Sequence, residues 1–281
     1  MKHTQADLAF HNLMNRVLTK GTKLVTRNHS VYRLSMPGQI EFTSFPLVTL
    51  KKTAAKKAIT EMEWFLSGNV TCPPELLDWW TGQLDPQGRY LAGYGQQLRH
   101  SAWTGSEGGK EAPFDQVQYL IDGIKNSPNS RRLCLTTWNP GDMANITKIN
   151  QNGACPSACH LSFAQFFVEG DALEMFSYQR SGDLVLGVCH NWAQHYALLT
   201  YLAHQTGLKV GRYVWAGGDI HIYDEPSHLL LCQELNTFVD EGDLVHPHLT
   251  YTPTSNDFLA KDFKVVGEVP EPITKIRAKL L

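Results

Sequence analysis

The stretch from His160 to Tyr223 constrains the fold of this chain most. Two runs rich in apolar, β-branched and aromatic residues, His160–Val168 and Leu173–Gln179, read as buried strands. Next, His190–Gln205, built around Tyr196-Ala197-Leu198-Leu199, is apolar enough on all sides to be a buried helix. Tyr213–Trp215 and His221–Tyr223 then read as strand pieces on either side of a Gly217-Gly218-Asp219 turn. Strands and helices interleave with no internal repeat and no low-complexity linker. That pattern fits a single α+β domain spanning residues 1–281.

The flanks agree with this class. Asp7–Lys20 places Leu8, Leu13, Met14, Val17 and Leu18 at helical spacing, with Gly21 as a stop. Ser30–Leu34 and Gln39–Phe42 read as two short strands, and Thr53–Leu66 as an amphipathic helix closed by Gly68. From Cys72 to Gly109 the chain is rich in Pro, Gly and Trp, with one short helix near Glu75–Trp80; a loop of that length is expected to be functional. Phe114–Lys125 reads as a helix and Leu133–Trp138 as a buried strand. Beyond Leu244, strand-like and proline-containing stretches alternate.

A net charge of −2 gives no basic surplus, so nucleic acid is not expected as a partner, and any anion site must be local. The N-terminus lacks an apolar run followed by a small-residue cleavage site, and no stretch is long enough to span a bilayer. Six thinly spread cysteines do not resemble a disulfide scaffold. A cytoplasmic, thiol-reduced protein is the expectation.

The densest polar information lies between Ser130 and Tyr223. Ser130-Arg131-Arg132 abuts one apolar strand, and Tyr178-Gln179-Arg180-Ser181-Gly182-Asp183 ends another. Arginines beside buried strands suit a phosphate, whose geometry matches the guanidinium fork; surface ion pairs are the plainer reading of either segment alone. Arg27 is a third candidate. Cys159-His160 offers a nucleophile only if nearby cations favour the thiolate, and is otherwise an inert core cysteine. Cys155 lies four residues before it, but no second cysteine pair stands at ligand spacing, so no metal is expected. His190, His195 and His204 sit in an apolar helix and read as packed or capping residues.

The ordered series of motifs resembles the thymidylate synthase family. It comprises the Tyr178–Asp183 string with Leu186-Gly187, Asn191 and Tyr196-Ala197-Leu198-Leu199, then Gly217-Gly218-Asp219-Ile220-His221-Ile222-Tyr223, and Ser130-Arg131-Arg132 with Trp138-Asn139. Phe45-Pro46-Leu47-Val48-Thr49 with Lys51, Glu61 before Trp64-Phe65-Leu66, Tyr94-Gly95 and Arg27 fall in family order too. The resemblance implies a mixed β-sheet core flanked by helices, with the sheet forming a homodimer interface. It implies one-carbon transfer from 5,10-methylenetetrahydrofolate to C5 of dUMP, through attack of Cys159 on C6. Arg27, Arg180 and Ser181 would hold the phosphate, joined by Arg131 and Arg132 from the neighbouring subunit. Asn191, supported by Gln179, would read the base; an N-cap role before Trp192-Ala193 is the alternative. His221 and Tyr223 would bind the sugar. Glu61, with Tyr94 nearby, would order water and move protons, and a solvated helix position is its plainer reading. Lys51, Trp80, Asp183 and Gly187 would line the folate site.

The departures from the family pattern cluster at the chemistry. Ala158 stands where proline usually precedes the nucleophile, and the stretch Ala144–Pro156 is longer than usual. Cys189-His190 replaces Pro-Phe, Asn191–His195 holds an extra residue, Gln83 replaces a second tryptophan, and the Ile273–Leu281 ending is unlike the family's. Polar residues such as His190, His195 and Gln83 would deliver water to the C5 methylene. That favours 5-hydroxymethyl-dUMP as product, as made by the deoxyuridylate hydroxymethylases of some bacteriophages. The alternatives are thymidylate formation with dihydrofolate, hydroxymethylation of a cytidylate, and a non-catalytic nucleotide- or RNA-binding homologue.

Overall fold

The computed structural model describes residues 2–26, 29–91, 93–104, 111–140 and 158–279. Helix α1 (Gln5–Lys20) starts where Thr4 and Asp7 cap one another, each side chain accepting the other's backbone N–H. Asp7 also accepts the backbone N–H groups of Thr49 (2.6 Å) and Leu50 (3.0 Å), so the cap pins the Pro46–Leu50 loop to the helix. Gly21 ends the helix, as the sequence predicts.

The sheet contains β1 (Thr22–Val25), β2 (Ser30–Phe42), β5 (Cys134–Leu135), β6 (Phe163–Glu169), β7 (Ala172–Asp183) and β8 (Lys209–Tyr223), in the order β1-β2-β8-β7-β6-β5. β7 and β8 run parallel and the other pairs antiparallel, so the sheet is mixed. The connection between the parallel strands is a π-helical turn, Leu184–Val188, followed by a long helix, Cys189–Thr206. Around these lie α2 (Ala55–Ser67), α3 (Leu77–Trp80), α4 (Tyr94–Arg99), α5 (Gln116–Asn126), α6 (the Cys189–Thr206 helix) and α7 (Pro226–Leu235). Two small hairpins complete the α+β domain, β3 (Ser101–Thr104) with β4 (Glu111–Phe114) and β9 (His248–Tyr251) with β10 (Phe263–Val266).

Helix α6 is buried from Asn191 to Ala203, and Gly207 closes it in the left-handed conformation (φ 73°). Trp192 packs between Phe42 and Trp215, with ring centroids 5.0 and 5.6 Å apart, which clamps the helix to β2 and β8. Truncating such a buried aromatic to alanine costs roughly 3–5 kcal/mol. Along β7, Leu173, Met175, Ser177 and Gln179 face the helices, whereas Tyr178 is 37% exposed on the opposite face. Phe163 and Phe167 of β6 are also exposed.

Several sequence expectations change. Ser30–Leu34 and Gln39–Phe42 are one strand, paired along its length with β8 across a bulge between Ser35 and Gly38, where Met36 and Gly38 take positive φ. Gly217 and Gly218 do not turn the chain: they lie inside β8. A Cβ on Gly218 would fall 2.4 Å from the Tyr178 hydroxyl, so close approach explains this glycine. The His160–Val168 strand starts only at Phe163, because Leu161 has φ 47° and breaks the extended run. Only Cys134–Leu135 of the 133–138 segment pairs as strand. Helices α4 and α7 are additions to the sequence reading. Among the described residues, no helix is long and apolar enough to cross a membrane.

Candidate active site

The residue order of β7 places Gln179, Ser181 and Asp183 at the C-terminal end of that strand, beside His221 and Tyr223 at the end of β8. A cavity of about 340 Å³ opens there. Its wall includes Glu61, Trp80, Tyr94, Cys159, Gln179, Ser181, Asp183, Gly187, Asn191, His221 and Tyr223. Eleven of the positions that the resemblance implied therefore line one cavity, joined by Trp79, Gln83, His160, Gly182, Leu186 and His190.

Cys159 lies in the loop ahead of the Leu161 kink. Its backbone N–H donates to the Tyr94 hydroxyl at 2.7 Å, and its carbonyl accepts from the Ser181 N–H (3.4 Å) and the Ser162 hydroxyl (3.2 Å). Tyr94 itself is sandwiched by stacking on Phe65 and His160, each at 4.4 Å. The loop is thus stapled to α4 on one side and β7 on the other. The Arg180 guanidinium donates to Cys159 Sγ at 3.5 Å and to the Ala158 carbonyl at 3.4 Å, and lies 5.0 Å over the Trp138 ring. Burial raises the Cys159 thiol above its ordinary value and Arg180 opposes it, without fully offsetting the cost of desolvation. Of the arginines expected to favour the thiolate, Arg180 acts in that direction here.

Glu61 is 8% exposed, which excludes a solvated helix position. Trp80 Nε1–H donates to its Oε1 at 2.6 Å, and the Gln194 amide donates to its Oε2. Burial raises this carboxyl, and the two donors only partly oppose it. Asn191 lies inside the first turn of α6, two residues after its start, so it is not the N-cap. Its amide accepts from Gln179 and donates to Gln194, both at 2.9 Å. Asp183 accepts from the N–H groups of Val185 and Leu186, capping the π-helical turn, and burial raises its carboxyl. His228, fully buried on α7, stands 4.0 Å from Asp183. Burial pushes Tyr223 up to about 12.

Other predicted residues lie elsewhere. Arg131 and Arg132 are exposed and do not line this chain's cavity. Arg27 and Cys155 lie outside the described residues. Lys51 is buried behind the wall beside Cys189. Burial alone would raise that thiol, but the Lys51 ammonium, with His190, brings it to about 6. His195 is also absent from the wall: it bonds His160 (3.1 Å) and Tyr213 (2.7 Å), and burial keeps both imidazoles neutral, His160 at about 3. His190 lines the cavity and accepts the Ala54 N–H at the start of α2. Among the described residues, no group of three His, Cys, Asp or Glu side chains is arranged to hold a metal ion.

Gln194 enters the sequence reading only as part of an extra residue in α6; its two bonds arise from tertiary packing and leave no local signal. A thymidylate synthase family model matches residues 8–280. The chain is 32% identical over 285 residues to a thymidylate synthase of Corynebacterium aurimucosum, covering 99% of both chains.

Proposed function

This chain belongs to the thymidylate synthase family, and we propose that it transfers a one-carbon unit to C5 of dUMP after Cys159 adds to C6 of the uracil. The observation that carries this reading is Cys159 lining one cavity with Glu61 and Asn191, with the Arg180 guanidinium 3.5 Å from its Sγ although Arg180 is not itself part of the cavity wall. C5 of uracil is a poor nucleophile. Attack of a thiolate at C6 makes the ring an enolate and C5 reactive, so the residues must support a sulfur anion and then a ring oxyanion. Arg180 reduces the cost that burial imposes on the thiolate. The Asn191 amide donates to O4 and accepts from N3–H, a pattern that cytosine reverses.

The wall of Trp79, Trp80, Leu186 and Gly187, with the Asp183 carboxylate at its edge, fits a planar amide-bearing heterocycle such as folate. Methylenetetrahydrofolate supplies the electrophilic one-carbon unit. Glu61, held between Trp80 and Gln194, takes the C5 proton through ordered water once the new carbon–carbon bond exists. His221 and Tyr223 meet the sugar, and Arg180, Ser181 and Arg27 meet the phosphate. Arg131 and Arg132 are exposed on their own chain and reach the site of a second copy, with the outer sheet face of Phe163, Phe167 and Tyr178 as the homodimer contact.

For the second half-reaction, water adds to the exocyclic methylene and Cys159 leaves, giving 5-hydroxymethyl-dUMP and tetrahydrofolate. Gln83 supports this outcome, since a side-chain amide in the wall can hold water where hydride transfer requires a dry site; both ring nitrogens of His190 are taken, by the Ala54 N–H and the Leu186 carbonyl. Thymidylate with dihydrofolate is the second reading, favoured by the full-length similarity to a thymidylate synthase. The mass of the nucleotide formed from dUMP and methylenetetrahydrofolate separates the two. Replacing Cys159 with Ser abolishes turnover and keeps dUMP affinity within about tenfold; undiminished turnover removes Cys159 from the mechanism.

A further inference from the structure

A single file of hydrogen bonds runs through the wall behind the cavity. Trp215 Nε1–H donates to Gln179 Oε1 at 3.0 Å, and Gln179 Nε2–H donates to Asn191 Oδ1 at 2.9 Å. Asn191 Nδ2–H donates to Gln194 Oε1 at 2.9 Å, and Gln194 Nε2–H donates to Glu61 Oε2. An amide side chain can be turned end for end, so three amides in series are ambiguous by themselves. The ends remove the ambiguity. An indole nitrogen only donates and the Glu61 carboxylate, when ionised, only accepts, so the file then has one direction. Gln179 Nε2 also donates to the Ser181 carbonyl at 3.1 Å, a third fixed point. Turning Asn191 alone would set oxygen against oxygen at Gln194 and N–H against N–H at Gln179.

We propose that Gln194 is a positioning residue that locks the Asn191 amide in its uracil-reading orientation and ties that orientation to Glu61. The inference rests on the reading of Asn191 as the residue that meets the base. What the lock leaves available at Asn191 is the second Nδ2 proton and the second Oδ1 lone pair, a donor for O4 and an acceptor for N3–H. A cytosine presents an acceptor at N3 and a donor at N4, and needs the opposite amide orientation. Gln194 is fully buried and does not line the cavity, so it acts through Asn191 and Glu61 and not by touching the nucleotide. Gln179 and Trp215 hold one side of Asn191; among the described residues, Gln194 joins its other side to the carboxylate.

The test uses calorimetric titration of the full chain with dUMP and with dCMP. Wild type prefers dUMP. In Gln194→Met, which keeps the length of the side chain and removes both hydrogen bonds, Gln179 is left as the one restraint against turning Asn191, and the preference falls by about tenfold. Gln194→Glu keeps an acceptor for Asn191 Nδ2 and therefore keeps the preference. It also sets a second carboxylate against Glu61, which moves the pH dependence of turnover upward. A merely structural glutamine would weaken both nucleotides alike and leave the ratio unchanged. A folded Gln194→Met protein with an unchanged ratio overturns the lock and leaves the dUMP reading standing. Wild type that binds neither nucleotide overturns the dUMP reading and the lock together.

Discussion

Replacing Arg180 with methionine removes the charge beside Cys159 while keeping a chain of similar length against Trp138. At 3.5 Å and an effective dielectric of about 20, a guanidinium and a thiolate attract by roughly 4–5 kcal/mol. That corresponds to about three pKa units at about 1.4 kcal/mol each. Arg180 is only half-buried, and solvent screening reduces the expected shift to about one to two units. The thiolate is the species that alkylates, so raising the pKa lowers its fraction at any pH below it. The assay is the rate at which iodoacetamide labels the Cys159 peptide, measured across pH in the nucleotide-free protein. Wild type should inflect above the ordinary thiol value, because burial outweighs Arg180. The Arg180→Met profile should move higher still, with labelling at pH 8 slowed by about ten- to a hundredfold. A folded variant whose profile coincides with wild type would refute the claim that Arg180 supports the sulfur anion. Cys189 reports separately in the same digest, since it lies at the start of α6, not in the Cys159 loop, and is fully buried.

The raised Glu61 carboxyl has a consequence for stability. Between its unfolded value and its higher folded value the native state holds the proton and the unfolded state does not, so stability falls as pH rises through that window. Denaturant titrations at pH 5 and 7.5 should show a smaller fall for Glu61→Gln than for wild type, and equal slopes would contradict the burial argument. If Arg131 and Arg132 complete the partner's site, mixing inactive Cys159→Ser chains with inactive Arg131→Ala/Arg132→Ala chains should restore about a quarter of wild-type activity, as one intact site per mixed dimer requires. No recovery in a mixture shown to exchange subunits would place those arginines elsewhere.

What the sequence made legible follows from where the information is local. Helices α1 and α2 are announced by apolar spacing and by Gly21 and Gly68 at their ends, and α6 by its all-round apolar run. The cavity residues are named because the ordered motifs resemble the thymidylate synthase family, and the structure sets those of β7 and β8 on neighbouring strand ends. Other features depend on contacts that no short window contains. Gly217-Gly218 looks like a turn, yet Gly218 is small because the Tyr178 ring crosses it from the next strand. Leu161 gives no hint of its positive φ, which is set by the staples that hold Cys159. His195 sits in the same helix as Asn191 but points away from the cavity toward Tyr213. Gln194 acquires meaning only when Glu61, from a helix more than a hundred residues earlier in the chain, arrives beside it.

The most direct measurement of the account is the mass of the Cys159 peptide after reaction with 5-fluoro-dUMP and methylenetetrahydrofolate. Fluorine at C5 cannot leave as a proton does, so the covalent intermediate is trapped. The account predicts one nucleotide plus the one-carbon-bearing folate attached at Cys159, and none in Arg180→Met at the same early time. An unmodified Cys159 peptide in protein that has bound the nucleotide, or an adduct on another cysteine, would contradict it.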